Sequence, residues 1–192
     1  LRRSNLFVIF VLGLGIIGTT AQAFETQAQA AYVIDQQSGT VLLAKQAEVA
    51  LPPASMSKLM TLFMAFEALR DGRLSWDEKL PVSSHAMSYG GSTMFLDTTD
   101  RVTVEDLVRG IIVLSGNDAC AVIAEALSID GTEAGFATMM TERAKTLGMT
   151  NSVFANSSGW PDIKQRMSMK ELAVLAQHLM SDFPDQYDMF AE

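Results

Sequence analysis

The sequence is poor in the residues that form disulfides and bind metals. Its 192 residues include one cysteine, Cys120, and two histidines, His85 and His178. A single cysteine excludes an intrachain disulfide, and the sequence has neither an HExxH motif nor a Cys/His cluster at ligand spacing. We therefore expect a protein without a metal or another cofactor, and we interpret Cys120 as a buried residue of a helix rather than a catalytic thiol.

Basic residues are outnumbered by acidic ones. The chain has 14 lysines and arginines against 22 aspartates and glutamates, which gives a formal net charge of -8 at pH 7. Such a surface repels the phosphates of nucleic acids, so nucleic acid is excluded as a partner. The acidic excess indicates a solvated, soluble surface instead.

The one long hydrophobic run lies at the N-terminus, from Leu6 to Ile17. It follows Arg2 and Arg3 and precedes Ala21-Gln22-Ala23, a small-residue pattern at which signal peptidases cleave. The alternative is a membrane anchor, but a spanning helix needs about 20 apolar residues. We therefore predict that residues 1–23 are a signal peptide and that the protein is exported to the periplasm or to the outer face of the cytoplasmic membrane.

The rest of the chain predicts strands first and helices afterwards. Two β-rich runs surround Ser38-Gly39, which indicates a hairpin, whereas later apolar residues recur at helical spacing. Polar residues at capping positions, Thr103 and Ser168 among them, predict where helices begin. The expected helices cover residues 55–71, 103–112, 117–127, 132–147 and a segment after 168, with loops at 81–100 and 151–161. This order favours an α+β arrangement in which the sheet is unfinished.

The sequence Ser55-Met56-Ser57-Lys58 is an SxxK motif at the start of a predicted helix. Side chains three residues apart lie on one face of a helix, so the Lys58 amine can act as the base that a serine nucleophile requires. An unperturbed lysine would cost roughly 4.6 kcal/mol to present neutral at pH 7. Lys58 must therefore be buried or lie beside another cation. So short a motif also occurs by chance, in which case Lys58 is a surface residue.

A second polar triplet, Ser115-Gly116-Asn117, interrupts two apolar helices. It is the one SxN in the chain, and buried polar groups in such a position need partners. An ordinary turn between helices is the alternative, because serine, glycine and asparagine favour turns in any protein.

The order of SxxK and, about sixty residues later, SxN resembles the penicillin-binding proteins and serine β-lactamases. The resemblance is to the low-molecular-mass D-alanyl-D-alanine carboxypeptidases and extends from Tyr32 to Glu192. It implies a β-lactamase/transpeptidase-like α+β fold, in which a helical cluster packs on an antiparallel sheet that is truncated here before its later strands. The second motif is SGN rather than SDN and no ExxLN-like segment occurs, which favours a carboxypeptidase over a β-lactamase. The further segments that carry the resemblance are Tyr32–Asp35, Pro53–Thr61, Gly91–Leu96, Arg109–Cys120, Leu147–Met149 and Asn156–Asp162.

The resemblance implies a role for each residue of the two motifs. Ser55 is the expected nucleophile, which attacks the bond between the terminal D-alanines of a peptidoglycan stem peptide, and neutral Lys58 takes its proton. Ser115 is expected to relay a proton to the departing D-alanine. Asn117 is expected to hold the acyl-side amide of the substrate and the Lys58 amine. The same site would be acylated by β-lactams, which are the expected inhibitors.

The sequence lacks the KTG motif that the resemblance leads one to expect. Lys145-Thr146-Leu147 lies inside a predicted helix, and in the family the KTG strand lies beyond the point that Glu192 occupies. We therefore expect residues 24–192 to be the N-terminal and central part of a catalytic domain, inactive alone, with a possible membrane anchor further along. A catalytically silent wall protein of the same fold is the alternative. A KTG segment after Glu192 would support the enzyme, and its loss from the natural gene would support the silent protein. An unrelated secreted helical protein would leave the paired motifs unexplained.

Overall fold

The computed structural model describes residues 25–192, so the predicted signal peptide lies outside the described residues. Two short antiparallel pairs of strands accompany a set of α-helices, and 3-10 helices cover Ala54–Ser57 and Asp188–Ala191. The strands are β1 (Ala31–Ile34), β2 (Val41–Lys45), β3 (Lys79–Pro81) and β4 (Arg101–Thr103). The helices are α1 (Lys58–Arg70), α2 (Ser84–Met87), α3 (Val104–Leu114), α4 (Asn117–Leu127), α5 (Glu133–Thr146), α6 (Met169–Asp182) and α7 (Pro184–Tyr187).

The predicted hairpin is present as β1 and β2, which pair antiparallel with Tyr32 opposite Ala44. Its turn is closed by Asp35, whose side chain accepts hydrogen bonds from the backbone N–H and the hydroxyl of Ser38. Gly39 has φ of +69°, a conformation that a residue with a Cβ rarely adopts. The turn predicted at Ser38-Gly39 is therefore confirmed.

The loop expected at residues 81–100 is partly ordered into regular structure. Its first residue ends β3, which pairs with β4 through Leu80 and Val102. The helical turn α2 begins after Ser83, whose hydroxyl accepts from the backbone N–H of Ala86. Residues 88–100 contain no helix or strand, so the prediction of a loop with little regular structure is confirmed. The elements at its start have three or four residues and are too short to show a period in the sequence.

Helices α1 and α4 form the centre of the molecule. α1 is buried on nearly every side, as expected of a helix that is apolar all round, and Phe63 and Phe66 are 1% exposed. α4 begins with a run of small residues, Ala119-Cys120-Ala121, all fully buried, which lets α1, α2, α3 and α5 pack against it. This packing brings the start of α4 to the start of α1.

The helix starts follow the predicted caps. The Thr103 hydroxyl accepts from the backbone N–H of Asp106 at 3.1 Å, and the Ser168 hydroxyl accepts from that of Glu171 at 3.2 Å. α5 ends before Gly148, which has φ of +83°.

Within residues 25–192, no helix is both long and apolar enough to cross a membrane.

Candidate active site

Ser55 lies in the 3-10 turn Ala54–Ser57 that leads directly into α1. The sequence predicted that Ser55 begins the α-helix itself, whereas the structure places it in a tighter turn before that helix. In a 3-10 helix residues i and i+3 eclipse one another, which aligns Lys58 with Ser55. The Lys58 Nζ atom donates to Ser55 Oγ at 3.0 Å, and Ser55 itself is exposed. Local backbone geometry thus holds the exposed Ser55 hydroxyl within hydrogen-bond distance of the Lys58 amine.

Lys58 is 4% exposed. Its amine donates to Ser55 Oγ and, at 2.7 Å, to the backbone carbonyl of Ser158, and within residues 25–192 no carboxylate forms an ion pair with it. Burial lowers the pKa of Lys58 below its ordinary value, because a low-dielectric surrounding disfavours the ammonium. The requirement that the sequence placed on Lys58, burial or a neighbouring cation, is met by burial.

Cys120 lies near the Lys58 amine and is fully buried. Burial raises the pKa of the Cys120 thiol well above its usual range, so the side chain stays a neutral thiol. The interpretation of Cys120 as a buried helical residue is confirmed. Since Cys120 follows Asn117 by one helical turn, the SxN triplet lies close to the lysine of the SxxK motif.

The SxN triplet forms the break between α3 and α4. Ser115 ends α3 in the left-handed conformation, with φ of +57°, which costs of order 1–3 kcal/mol for a residue with a Cβ and is typical of functional sites. Asn117 begins α4. Its backbone N–H donates to Ser92 O at 2.8 Å, and its side-chain amide donates to Gly90 O at 2.9 Å.

The expected contact between Asn117 and the Lys58 amine is not formed. The amide of Asn117 donates to Gly90, and Lys58 donates to Ser158. No hydrogen bond in the described part of the chain joins Ser115 or Asn117 to the Ser55–Lys58 pair. The roles of Ser115 and Asn117 toward a substrate stay predictions.

The segment 156–160 supplies contacts that sequence reasoning missed. It provides the Ser158 carbonyl, and Gly159 follows with φ of +83°. A Cβ at Gly159 would lie 1.9 Å from the Ala54 carbonyl oxygen and 2.4 Å from Ser57 Oγ. The glycine therefore lets this segment approach the turn that carries Ser55. A backbone acceptor leaves no side-chain signal, but the glycine after two serines could have indicated the close approach.

The chain is similar to known proteins over most of its length. The family described as D-alanyl-D-alanine carboxypeptidase matches residues 17–192. The chain belongs to this family. The D-alanyl-D-alanine carboxypeptidase DacF of Bacillus subtilis is 37% identical over 154 residues, which are 80% of this chain and 39% of that protein. The chain spans less than half the length of the curated relatives it matches.

Solved structures of the same family share the fold. The D-alanyl-D-alanine carboxypeptidase DacD of Francisella tularensis superimposes with a TM-score of 0.85 at 35% identity, over 89% of this chain and 41% of that one. A penicillin-binding protein of Listeria monocytogenes, solved with ampicillin bound, gives a TM-score of 0.76 at 31% identity, over 86% of this chain and 66% of that one. The predicted fold, α+β and β-lactamase/transpeptidase-like, is confirmed.

Gly159→Ala and Gly148→Ala form a matched pair, because both glycines have φ of +83° but a Cβ at Gly148 meets nothing within 4 Å. The left-handed conformation costs each variant about 1–2 kcal/mol of unfolding free energy. Gly159→Ala adds the clash with Ala54, so we expect a clearly larger loss in urea unfolding and a displaced Ser55 turn. Equal losses in the two variants would show that the close approach is unimportant.

Proposed function

We propose that this chain carries the nucleophile, the base and the SxN element of a serine-type D-alanyl-D-alanine carboxypeptidase. The observation that carries the proposal is the buried Lys58 amine at 3.0 Å from the exposed Ser55 hydroxyl. The substrate is a peptidoglycan stem peptide that ends in D-alanyl-D-alanine. The activity is that of the whole enzyme, and membership of the family supports it.

Acylation begins at Ser55. Lys58 takes the hydroxyl proton as Ser55 Oγ attacks the carbonyl carbon of the penultimate D-alanine, so a tetrahedral intermediate forms with the negative charge on the carbonyl oxygen. The N–H groups at the start of a helix have no partner within the helix. The backbone N–H of Ser55 in the leading turn supplies one donor to that oxyanion.

Collapse of the intermediate releases the terminal D-alanine. The leaving nitrogen needs a proton, and Ser115 relays one from the Lys58 ammonium, while Asn117 binds the acyl-side amide of the substrate. Water then hydrolyses the ester on Ser55 and frees the shortened peptide. β-Lactams acylate the same serine, in line with the ampicillin bound by the Listeria monocytogenes relative. A substrate in the cell wall requires a location outside the cytoplasm, consistent with the predicted signal peptide.

Ser55→Ala removes the nucleophile and should abolish covalent labelling by a fluorescent penicillin in the intact protein. In the wild type, mass spectrometry of the digested, labelled protein should place the adduct on Ser55. Circular dichroism serves as the control for folding, because an exposed serine contributes little to stability. Undiminished labelling of Ser55→Ala would assign the nucleophile elsewhere.

Lys58→Arg keeps the positive charge but cannot deprotonate, because the guanidinium pKa exceeds about 12. We expect acylation of Ser55 to fall by at least about a hundredfold, the lower range for a lost general base. Lys145→Arg is the matched control, since that lysine is exposed and its ion pair within residues 25–192 is with Glu142 on the surface. Acylation by Lys58→Arg at a rate near that of Lys145→Arg would rule Lys58 out as the base.

A further inference from the structure

Glu133, the first residue of α5, is a buried carboxylate that the proposed mechanism does not use. It is 6% exposed. Its Oε1 atom accepts from the backbone N–H of Ser157 at 2.9 Å and from the Ser157 hydroxyl. Its Oε2 atom accepts from the Tyr89 hydroxyl at 2.7 Å and contacts His85 Nε2 at 2.6 Å. Each oxygen therefore serves a different part of the chain.

The Oε1 side leads to Lys58. Ser157 is fixed by Glu133 through its N–H and hydroxyl, and its carbonyl accepts from the Thr61 hydroxyl of α1 at 2.6 Å. The next carbonyl along the chain, that of Ser158, accepts from the Lys58 amine. Since Ser157 is held at both its N–H and its carbonyl, the backbone that leads to the Ser158 carbonyl is restrained.

The Oε2 side leads to Asn117. Tyr89 is held by Glu133 and packs edge-on against Trp160, with 5.8 Å between the ring centroids. The next residue, Gly90, provides the carbonyl that accepts from the Asn117 side-chain amide. The Glu133 carboxylate thus binds Ser157 and Tyr89. Each of these residues directly precedes, in the sequence, a residue whose carbonyl accepts from Lys58 or from Asn117.

An ionised carboxylate suits this double role. Burial alone would raise the pKa of Glu133, but the hydrogen bonds from Ser157 and His85 outweigh it, and the pKa lies below its ordinary value. The ionised form accepts on both oxygens, whereas an amide of the same shape accepts on one and donates from the other. The one oxygen of a glutamine at this position can accept hydrogen bonds from Ser157 or from Tyr89, but not from both.

We propose that Glu133 is a positioning residue that joins the SxxK and SxN halves of the site, by fixing the Ser158 carbonyl for Lys58 and the Gly90 carbonyl for Asn117. This inference rests on the proposed function of Ser55 and Lys58. It concerns how those groups are held in position, and it assigns no chemical step to Glu133.

Glu171 offers a matched control within the same chain. It is also 6% exposed and lies in the first turn of a helix, α6. It also holds the segment 151–158, since it accepts from the backbone N–H of Asn151 at 2.8 Å and from the Ser152 hydroxyl at 2.6 Å. Neither of these partners adjoins an acceptor of Lys58 or Asn117. A purely structural role for buried carboxylates predicts the same outcome at both positions.

The test compares Glu133→Gln with Glu171→Gln in the intact protein. Acylation by a fluorescent penicillin is measured over a range of concentrations, which separates the rate constant at saturation from the half-saturating concentration. We expect Glu133→Gln to lower the rate constant by about tenfold or more, as small misplacements of reacting groups do. We expect Glu171→Gln to stay within about twofold of the wild type, because it lies outside the site. Equal effects of the two variants on the rate constant would overturn the proposal.

Crystal structures of the two variants give a readout that needs no activity. In Glu133→Gln the contact of Lys58 Nζ with Ser158 O, or that of the Asn117 amide with Gly90 O, should lengthen beyond about 3.5 Å, the limit of a hydrogen bond. Both contacts should persist in Glu171→Gln. Both contacts unchanged in Glu133→Gln would refute the coupling. A wild type that is not acylated at Ser55 would refute the proposed function instead, and the distances would still decide on Glu133.

Tyr89→Phe covers the case in which Glu133→Gln does not fold. It removes one hydroxyl and keeps the ring against Trp160. We expect it to lower the saturating rate constant by about threefold or more, with a small change in melting temperature. An unchanged rate constant would show that the Tyr89 side of Glu133 does not position Asn117.

Discussion

The burial of the Lys58 amine is the constraint on which the rest of the site depends. A buried ammonium is costly unless it is paired, and the groups that meet this one are a hydroxyl and a backbone carbonyl, both neutral. The cost falls on the charged form, so burial favours the neutral amine that the proposed mechanism requires of Lys58. It also makes the Ser158 carbonyl important, since without it the amine would keep the Ser55 hydroxyl as its one hydrogen-bond partner among the described residues.

Buried carboxylates hold irregular segments of the chain against the starts of helices. Asp118 accepts from the backbone N–H groups of Met94 and Leu96 and thereby holds the segment before β4 on the start of α4. Glu133 and Glu171 hold the segment 151–158 in the same manner from the starts of α5 and α6. A helix start favours negative charge. The helical cluster thus provides three places where an acidic side chain can replace the hydrogen bonds that a sheet would give to a loop.

Local patterns in the sequence predicted the elements that are determined locally. The hairpin, the caps at Thr103 and Ser168, and the Ser55–Lys58 contact each depend on residues within a few positions of one another. The partners of Lys58 and Glu133 were not predictable in this way. Lys58 donates to a backbone carbonyl 100 residues away, and Glu133 looks like any acidic residue in a first helical turn. Only the fold brings such residues together. Strands β3 and β4 were not predicted either, because they are too short to show a pattern of alternating residues in the sequence.

The claim that burial makes Lys58 a base can be tested on that residue directly. A titration of the Lys58 amine by nitrogen NMR in the intact protein should give a pKa below the ordinary value of 10.5. The rate of acylation at Ser55 should rise with pH through the same value and then level off, because the neutral amine is the active form. A Lys58 pKa at or above 10.5 would contradict the account.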